Sequence, residues 1–307
     1  MKVLVVGELN ADLIFSGFSS LPQPGKEVLA NDFSLELGSS SAICAAGLAR
    51  LGTAVSFLGK VGADVLGRFC MDELTRFGVD IGLVRVDSSL KTGITASFSA
   101  EDRALATFPG AIAELRAGEI AASILTGFSH LHVSSYYLQR GLQPGLPGLF
   151  RAARQAELTV SLDPGHDPSD QWSQGLAEAL EHCDVLFLNE VELAGLSGNS
   201  NVTEGLRTVS NGRTIVVAKL GKRGCAALAA GRYYSAEAIE VEAIDTTGAG
   251  DSFNAGFLHA WLRRLPIESC LECGSICGGL STRKLGGCGG QAGWAEVEQR
   301  MAVLKNT

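Results

Sequence analysis

Short apolar runs that end in glycine or a polar pair recur along this chain. Stretches of helical length separate them, and that alternation commits the chain to a mostly parallel sheet. The first run is Lys2 to Val6. Others are Val55 to Gly59, His130 to Ser134, Leu158 to Asp163, Asp184 to Asn189 and Thr214 to Leu220. Between them, helical patterns cover an Ala-rich stretch through Leu51, Asp64 to Phe77, and regions near 113–125 and 141–156. Strands joined through helices of this length imply right-handed crossovers and an α/β fold. No linker or low-complexity segment interrupts the 307 residues, so one domain is expected.

The formal charge of −8 argues against a nucleic-acid partner or an anionic membrane surface, which leaves small-molecule chemistry. The apolar start is only a few residues long before Gly7 and Glu8, too short for a leader or a spanning helix. A cytoplasmic location is expected. Eight cysteines invite a metal or disulfide reading. Cys270, Cys273 and Cys277 instead fall on one helix face, where reduced thiols act as small buried groups. His130 and His132 share a strand face and read as packed, hydrogen-bonded residues.

Asp245 to Leu265 joins a turn to a helix. Gly248, Ala249 and Gly250 let backbone approach a ligand, while Phe253, Phe257, Ala260 and Trp261 recur at helical spacing and anchor the segment in a core. The start of such a helix offers unpaired N–H groups and partial positive charge, which suits a phosphate. Asp251 in that position is either a helix cap or a base that takes a proton from an attacking hydroxyl.

Other polar groups follow predicted strands, at the edge where open α/β sheets bind ligands. Asn10 and Asp12 come soon after the first strand, and no GxGxxG follows it, which removes a dehydrogenase reading. Gly38-Ser39-Ser40-Ser41 leads into a helix, either capping it or presenting hydroxyls to a polar ligand. Asn189 and Glu192 are hard oxygen ligands suited to Mg²⁺, or an acidic helix start. Lys219 to Gly224 is a glycine turn that passes over a nucleotide or forms a hairpin into Cys225 to Ala230. Residues 27–37 read as a half-exposed strand pair, and Thr92 to Phe98 with Ala106 to Phe108 would complete a flap.

In full, Asp245-Thr-Thr-Gly-Ala-Gly-Asp251 followed by Ser-Phe-Asn-Ala-Gly-Phe257 resembles the C-terminal signature of the ribokinase-like, or PfkB, carbohydrate kinases. The resemblance runs over almost the whole chain. It takes in GELNAD at 7–12, PxPG at 22–25, LARLG at 48–52, VGADVLG at 61–67, FGVD at 77–80, TG at 92–93, NEVE at 189–192 and LGKRG at 220–224. It implies a three-layer αβα sandwich, with a small β-sheet lid inserted from about 13–37 and 92–108. It also implies transfer of the ATP γ-phosphate to an alcohol.

By that resemblance Asp251 is the base, and Gly248, Ala249 and Gly250 form the anion hole. Asn189 and Glu192 position Mg²⁺ through water, and Asn189, Lys219, Gly221, Gly224 and Thr247 lie along the nucleotide. Asp245 and Thr247 match positions that hold a monovalent cation such as K⁺ in many relatives. Asn10, Asp12, Gly38, Ser39, Ser40 and Ile43 face the acceptor. Ribokinases carry a second Gly, a Lys and an Asn where this chain has Ser39, Ser40 and Ile43, which puts ribose itself in doubt. The expected activity is an ATP- and Mg²⁺-dependent kinase acting on a primary hydroxyl of a sugar or sugar-like molecule. The alternatives are a nucleoside kinase, which apolar Ile43 would suit, and a non-catalytic relative that senses a metabolite. An unpaired lid strand would leave an exposed edge, which points to a homodimer through the lids.

Overall fold

The computed structural model describes residues 1–18, 20–99, 103–172 and 175–304. Eight strands form the main sheet, in the order Arg232–Ala236, Cys225–Ala229, Ile215–Lys219, Val185–Asn189, Thr159–Asp163, His130–Ser134, Lys2–Val6 and Ala54–Leu58. The first two are antiparallel and the remaining six run parallel. Successive side chains feed opposite faces: Val3, Val5, Val185 and Phe187 join one apolar cluster, and Leu4, Val6, Leu186 and Leu188 join the other. Helices cover both faces, giving the three-layer αβα architecture.

On one face the helix Ala249–Leu262 packs against Ile267–Ser281. A Cβ on Gly256 would lie 2.7 Å from the Cys273 carbonyl oxygen, and one on Gly278 would lie 2.9 Å from that of Ala249. Small residues therefore set how closely the two helices approach. All eight cysteines are free and buried, and among the described residues no group of three His, Cys, Asp or Glu side chains could hold a metal. Burial pushes the Cys70, Cys225 and Cys270 thiols up to about 12, so they pack as small neutral groups. His130 and His132 are buried and bonded to Thr159, Ser161 and Ser134.

A separate four-stranded sheet has the order Asp32–Leu37, Asn10–Ser16, Gly93–Ser99 and Arg103–Phe108. Its register puts Asn10, Asp12 and Thr95 on one face, and Leu13, Phe15, Phe33, Leu35, Phe98 and Phe108 on the other. Residues 19 and 100–102 of the expected lid lie outside the described residues. Asp64 ties this sheet to the body, accepting from the Thr92 amide at 2.8 Å and the Thr92 hydroxyl at 2.7 Å.

Two expectations change. Residues 27–31 form no strand, so 27–37 contributes the single strand Asp32–Leu37 in place of a pair. The helix near 113–125 breaks into the short turns Gly110–Glu114, Ala117–Glu119 and Ala122–Leu125, because Leu115, Arg116, Ile120 and Ala121 take extended conformations. The next helix begins only at Leu146, with Pro147 in the first turn, where a missing N–H costs nothing. No helix is long and apolar enough to cross a membrane among the described residues.

Candidate active site

The parallel strands end side by side at one edge, and the polar groups of the site collect there. Asp163 ends its strand, Asn189 ends the next, and Lys219 lies in register with Asn189 on the one after. The helix Ala249–Leu262 starts at the same edge, with Lys219 beside its first turn: a Cβ added to Gly250 would lie 3.3 Å from the Lys219 Nζ.

Gly248 precedes this helix with φ 69°, a left-handed turn that a side chain would strain, and its Cβ would sit 2.8 Å from the Gly287 Cα. The Ala249 amide donates to the Thr246 carbonyl and the Ser252 amide to that of Gly248. Among the described residues no backbone acceptor meets the Gly250 and Asp251 N–H groups. Of the expected anion-hole residues, Ala249 therefore has its amide bonded within the turn, whereas Gly250 leaves its amide free.

Asp251 sits in the first helical turn, with the Ser40 side chain near enough to favour its charged form. Burial, reinforced by the Asp163 carboxylate, pushes its pKa up to about 7. Glu192 is buried and likewise raised to about 7, by burial first and by Asp163 second. Asp163 goes the other way: burial opposes its ionisation, but Lys219 at 2.5 Å and Asn254 at 2.6 Å hold it below the usual carboxylate range. Burial pulls the Lys219 ammonium down, yet Asp163, Glu192 and Asp251 together raise it above the ordinary lysine value. Three carboxylates thus act on one ammonium.

Asn189 caps the helix Glu190–Ser197 in a reciprocal box with Glu192. The Asn189 amide donates to Glu192 Oε2 at 2.8 Å, its side-chain amide donates to Oε1 at 2.6 Å, and the Glu192 amide donates back at 2.9 Å. The bonds of this pair are those of the capping reading. Gly221 and Gly224 have positive φ in the hairpin between the strands ending at Lys219 and beginning at Cys225. Asp245 joins two loops: its Oδ1 accepts from the Thr247 amide and hydroxyl at 2.9 and 2.6 Å, and its Oδ2 from the Gly286 amide at 2.9 Å.

On the opposite wall, the Asn10 amide donates to Asp12 Oδ1 at 3.0 Å and to the Thr95 hydroxyl at 3.4 Å. Gly38 backs directly on this pair, since its Cβ would meet Asp12 Oδ1 at 2.2 Å. Ser39 has φ 74°, the conformation for which a glycine is the natural residue. Its hydroxyl accepts from the Ala42 amide at 3.1 Å and donates to the Glu8 carbonyl. Ser40 then reaches Asp251. The turn 38–40 thus runs from Asp12 to the candidate base. Ile43 is 3 % exposed and packs beneath Gly248 and Gly287.

Sequence reasoning missed Glu8, Asp163 and Asn254. Glu8 is buried and holds Ser41, accepting from its hydroxyl at 2.5 Å and its amide at 3.1 Å. Asp163 obeys the same strand-end rule that singled out Asn189, and Asn254 is one helical turn beyond Asp251. Both signals were present.

The sequence profile described as pfkB family carbohydrate kinase matches residues 1–292. An ATP-dependent ribose-1-phosphate kinase from Halopiger xanaduensis is 31% identical over 93% of this chain and 93% of its own length. A ribokinase from Bacillus subtilis is 26% identical over 98% of this chain and 99% of its own. A nucleoside kinase from Methanothermobacter thermautotrophicus is 28% identical, covering 87% and 85%. Among solved structures, Arabidopsis thaliana ribokinase complexed with ribose and ATP superposes with a TM-score of 0.84 at 24% identity over 97% of this chain and 98% of that one. Fructokinase with bound ATP from Xylella fastidiosa gives 0.84 at 21% identity, covering 99% of each.

Proposed function

Because this chain belongs to the pfkB family of carbohydrate kinases, we propose that it transfers the γ-phosphate of ATP to a hydroxyl, a primary one, of a sugar or sugar-like molecule, with Asp251 as the general base. What supports this reading is that Asp12 backs on Gly38 while Ser40, two residues further on, lies close to Asp251, so an acceptor held at Asp12 would be near a proton acceptor. A short carboxylate such as Asp12 can accept two hydroxyl hydrogen bonds. The Asn10 contacts orient it for that task.

In the proposed reaction Asp251 accepts the proton as the acceptor oxygen attacks. The Gly250 and Asp251 amides, with the turn at Gly248 and Ala249, hold the charge that develops on the phosphoryl oxygens. Glu192 and Asn189 fit Mg²⁺ held through water, since hard oxygen donors surround a net negative site. When bound, the ion neutralises phosphate charge. Gly221 and Gly224 keep two positions of the hairpin assigned to the nucleotide free of side chains. Asp245 and Thr247 are the residues we assign to K⁺, and exchange of KCl for tetramethylammonium chloride tests that assignment by turnover. The lid sheet, rooted at Asp64 and Thr92, excludes water from the transfer.

A nucleoside is the alternative acceptor, and Ile43, 3 % exposed beneath Gly248, offers little surface to one. The deciding experiment measures ADP release with Mg²⁺ and K⁺ across free sugars, sugar phosphates and nucleosides. Acceptor-dependent release with a sugar or sugar phosphate is expected. Binding of sugar with no transfer would replace this reading with that of a metabolite sensor.

We also propose a homodimer through the lid. Its outer face carries Phe33 at 63 % and Phe108 at 50 % exposure beside Phe15, which stacks on Phe98 with centroids 5.7 Å apart. A second copy of this apolar sheet is a chemically matched cover. Sedimentation of Phe33→Lys against the native chain tests it: the variant is expected to sediment as a monomer and the native chain as a dimer.

A further inference from the structure

Lys219 is a largely buried ammonium that pairs with Asp163 and turns a second face to the anion turn. Its side chain is 13 % exposed and meets Asp163 at 2.5 Å. On its other side lies the Gly250 backbone, close enough that a Cβ there would come within 3.3 Å of Nζ. Asp163 is fixed in turn by the Asn254 side-chain amide at 2.6 Å, from the same helix that carries Asp251. Asn254 Oδ1 is buried with no hydrogen-bond partner, so its amide is held in place for Asp163 at the cost of its own acceptor.

A lysine placed this way has two claimants. Resting on the kinase reading above, we propose that the Asp163–Lys219 pair is an exchangeable contact: the γ-phosphate competes with Asp163 for the Lys219 ammonium, and Asn254 sets the resting end of that exchange. Three features support it. Lysine presents three rotatable donors on a flexible stem, so Nζ can swing a donor from Asp163 toward an incoming anion. Gly250 leaves the path between Nζ and the anion turn clear of a side chain. The pair bridges the ends of two strands that flank the strand ending at Asn189, beside the free Gly250 and Asp251 amides. An ATP that reached those amides would place its terminal phosphate charge where ADP has none.

Equilibrium binding of ATP and ADP with Mg²⁺, without acceptor, tests this and does not depend on Asp251 acting as a base. The quantity is the ratio of the ADP to the ATP dissociation constant. The double variant Lys219→Met/Asp163→Asn removes both charges and leaves neither orphaned. It is expected to lower the ratio about tenfold, the scale of one charge-assisted contact. Asp163→Asn alone frees the lysine and is expected to raise the ratio. A folded double variant with an unchanged ratio would overturn the exchange. Should the double variant fail to fold, Asp163→Asn decides: a raised ratio supports the proposal and an unchanged one overturns it. If the native protein binds neither nucleotide, the kinase reading fails; if it binds both and the variants leave the ratio unmoved, only the exchange fails.

Discussion

Replacing Asp251 by Asn removes a carboxyl whose charge the protein resists, so the variant should be more stable than the native chain. Burial first and Asp163 second raise this group from 3.8 to about 7. At 1.36 kcal/mol per unit that rise corresponds to about 4 kcal/mol held against folding once the group is ionised. The sign follows from linkage: a raised folded value means the native state binds the proton more tightly than the unfolded chain does. The stabilising effect of that proton is fully present below pH 4, shrinks as pH rises, and is gone above about pH 7. Asparagine keeps the shape and carries no charge. Solvent at the partly open Asp251 reduces the figure, leaving a gain on the order of 2–4 kcal/mol at pH 8 that falls by more than half at pH 5. Urea midpoints with matched m-values, measured at both pH values, give the two differences directly. Equal midpoints at pH 8, or a gain independent of pH, would refute the claim that the site holds Asp251 against its own ionisation.

Gly38→Ala would place a Cβ 2.2 Å from Asp12 Oδ1 and 2.7 Å from Asn10 Nδ2, displacing both. The KM for acceptor should rise by about tenfold or more while the KM for ATP stays put, as expected for lost positioning on one substrate only. Ser39→Gly relieves a positive φ but loses a helix cap, two effects of about 1 kcal/mol each and opposite sign, so thermal denaturation should show a small net change. Asp64→Ala removes the bonds that root the lid at Thr92, and acceptor-independent ATP hydrolysis should increase relative to transfer.

Much of this architecture was legible because strands buried on both faces leave continuous apolar runs, and because each ends where polar residues begin. Lys2 to Val6 and Asp184 to Asn189 could be placed to within a residue on that pattern. The turn before Asp251 was legible for another reason: backbone that approaches an anion needs small residues in a fixed order. Partnerships between distant residues were not. Lys219 read as a nucleotide contact at the head of a hairpin, and nothing local announces that it pairs with Asp163, 56 residues away. Ile43 matched an acceptor position by resemblance alone, and nothing local announces that its side chain packs beneath Gly248. Glu8 looked like part of a turn and proved to be a buried anchor for Ser41. The region near 113–125 misled because its apolar spacing suits a helix while its backbone serves to hold Glu119 for Lys60 and Arg85.

The central claim is that Asp251 removes the acceptor proton, and turnover of Asp251→Asn with the best acceptor from the panel tests it most directly. The account predicts that kcat falls at least about a hundredfold, the scale of general-base catalysis, while ATP affinity changes little. A variant that kept most of its kcat would contradict it.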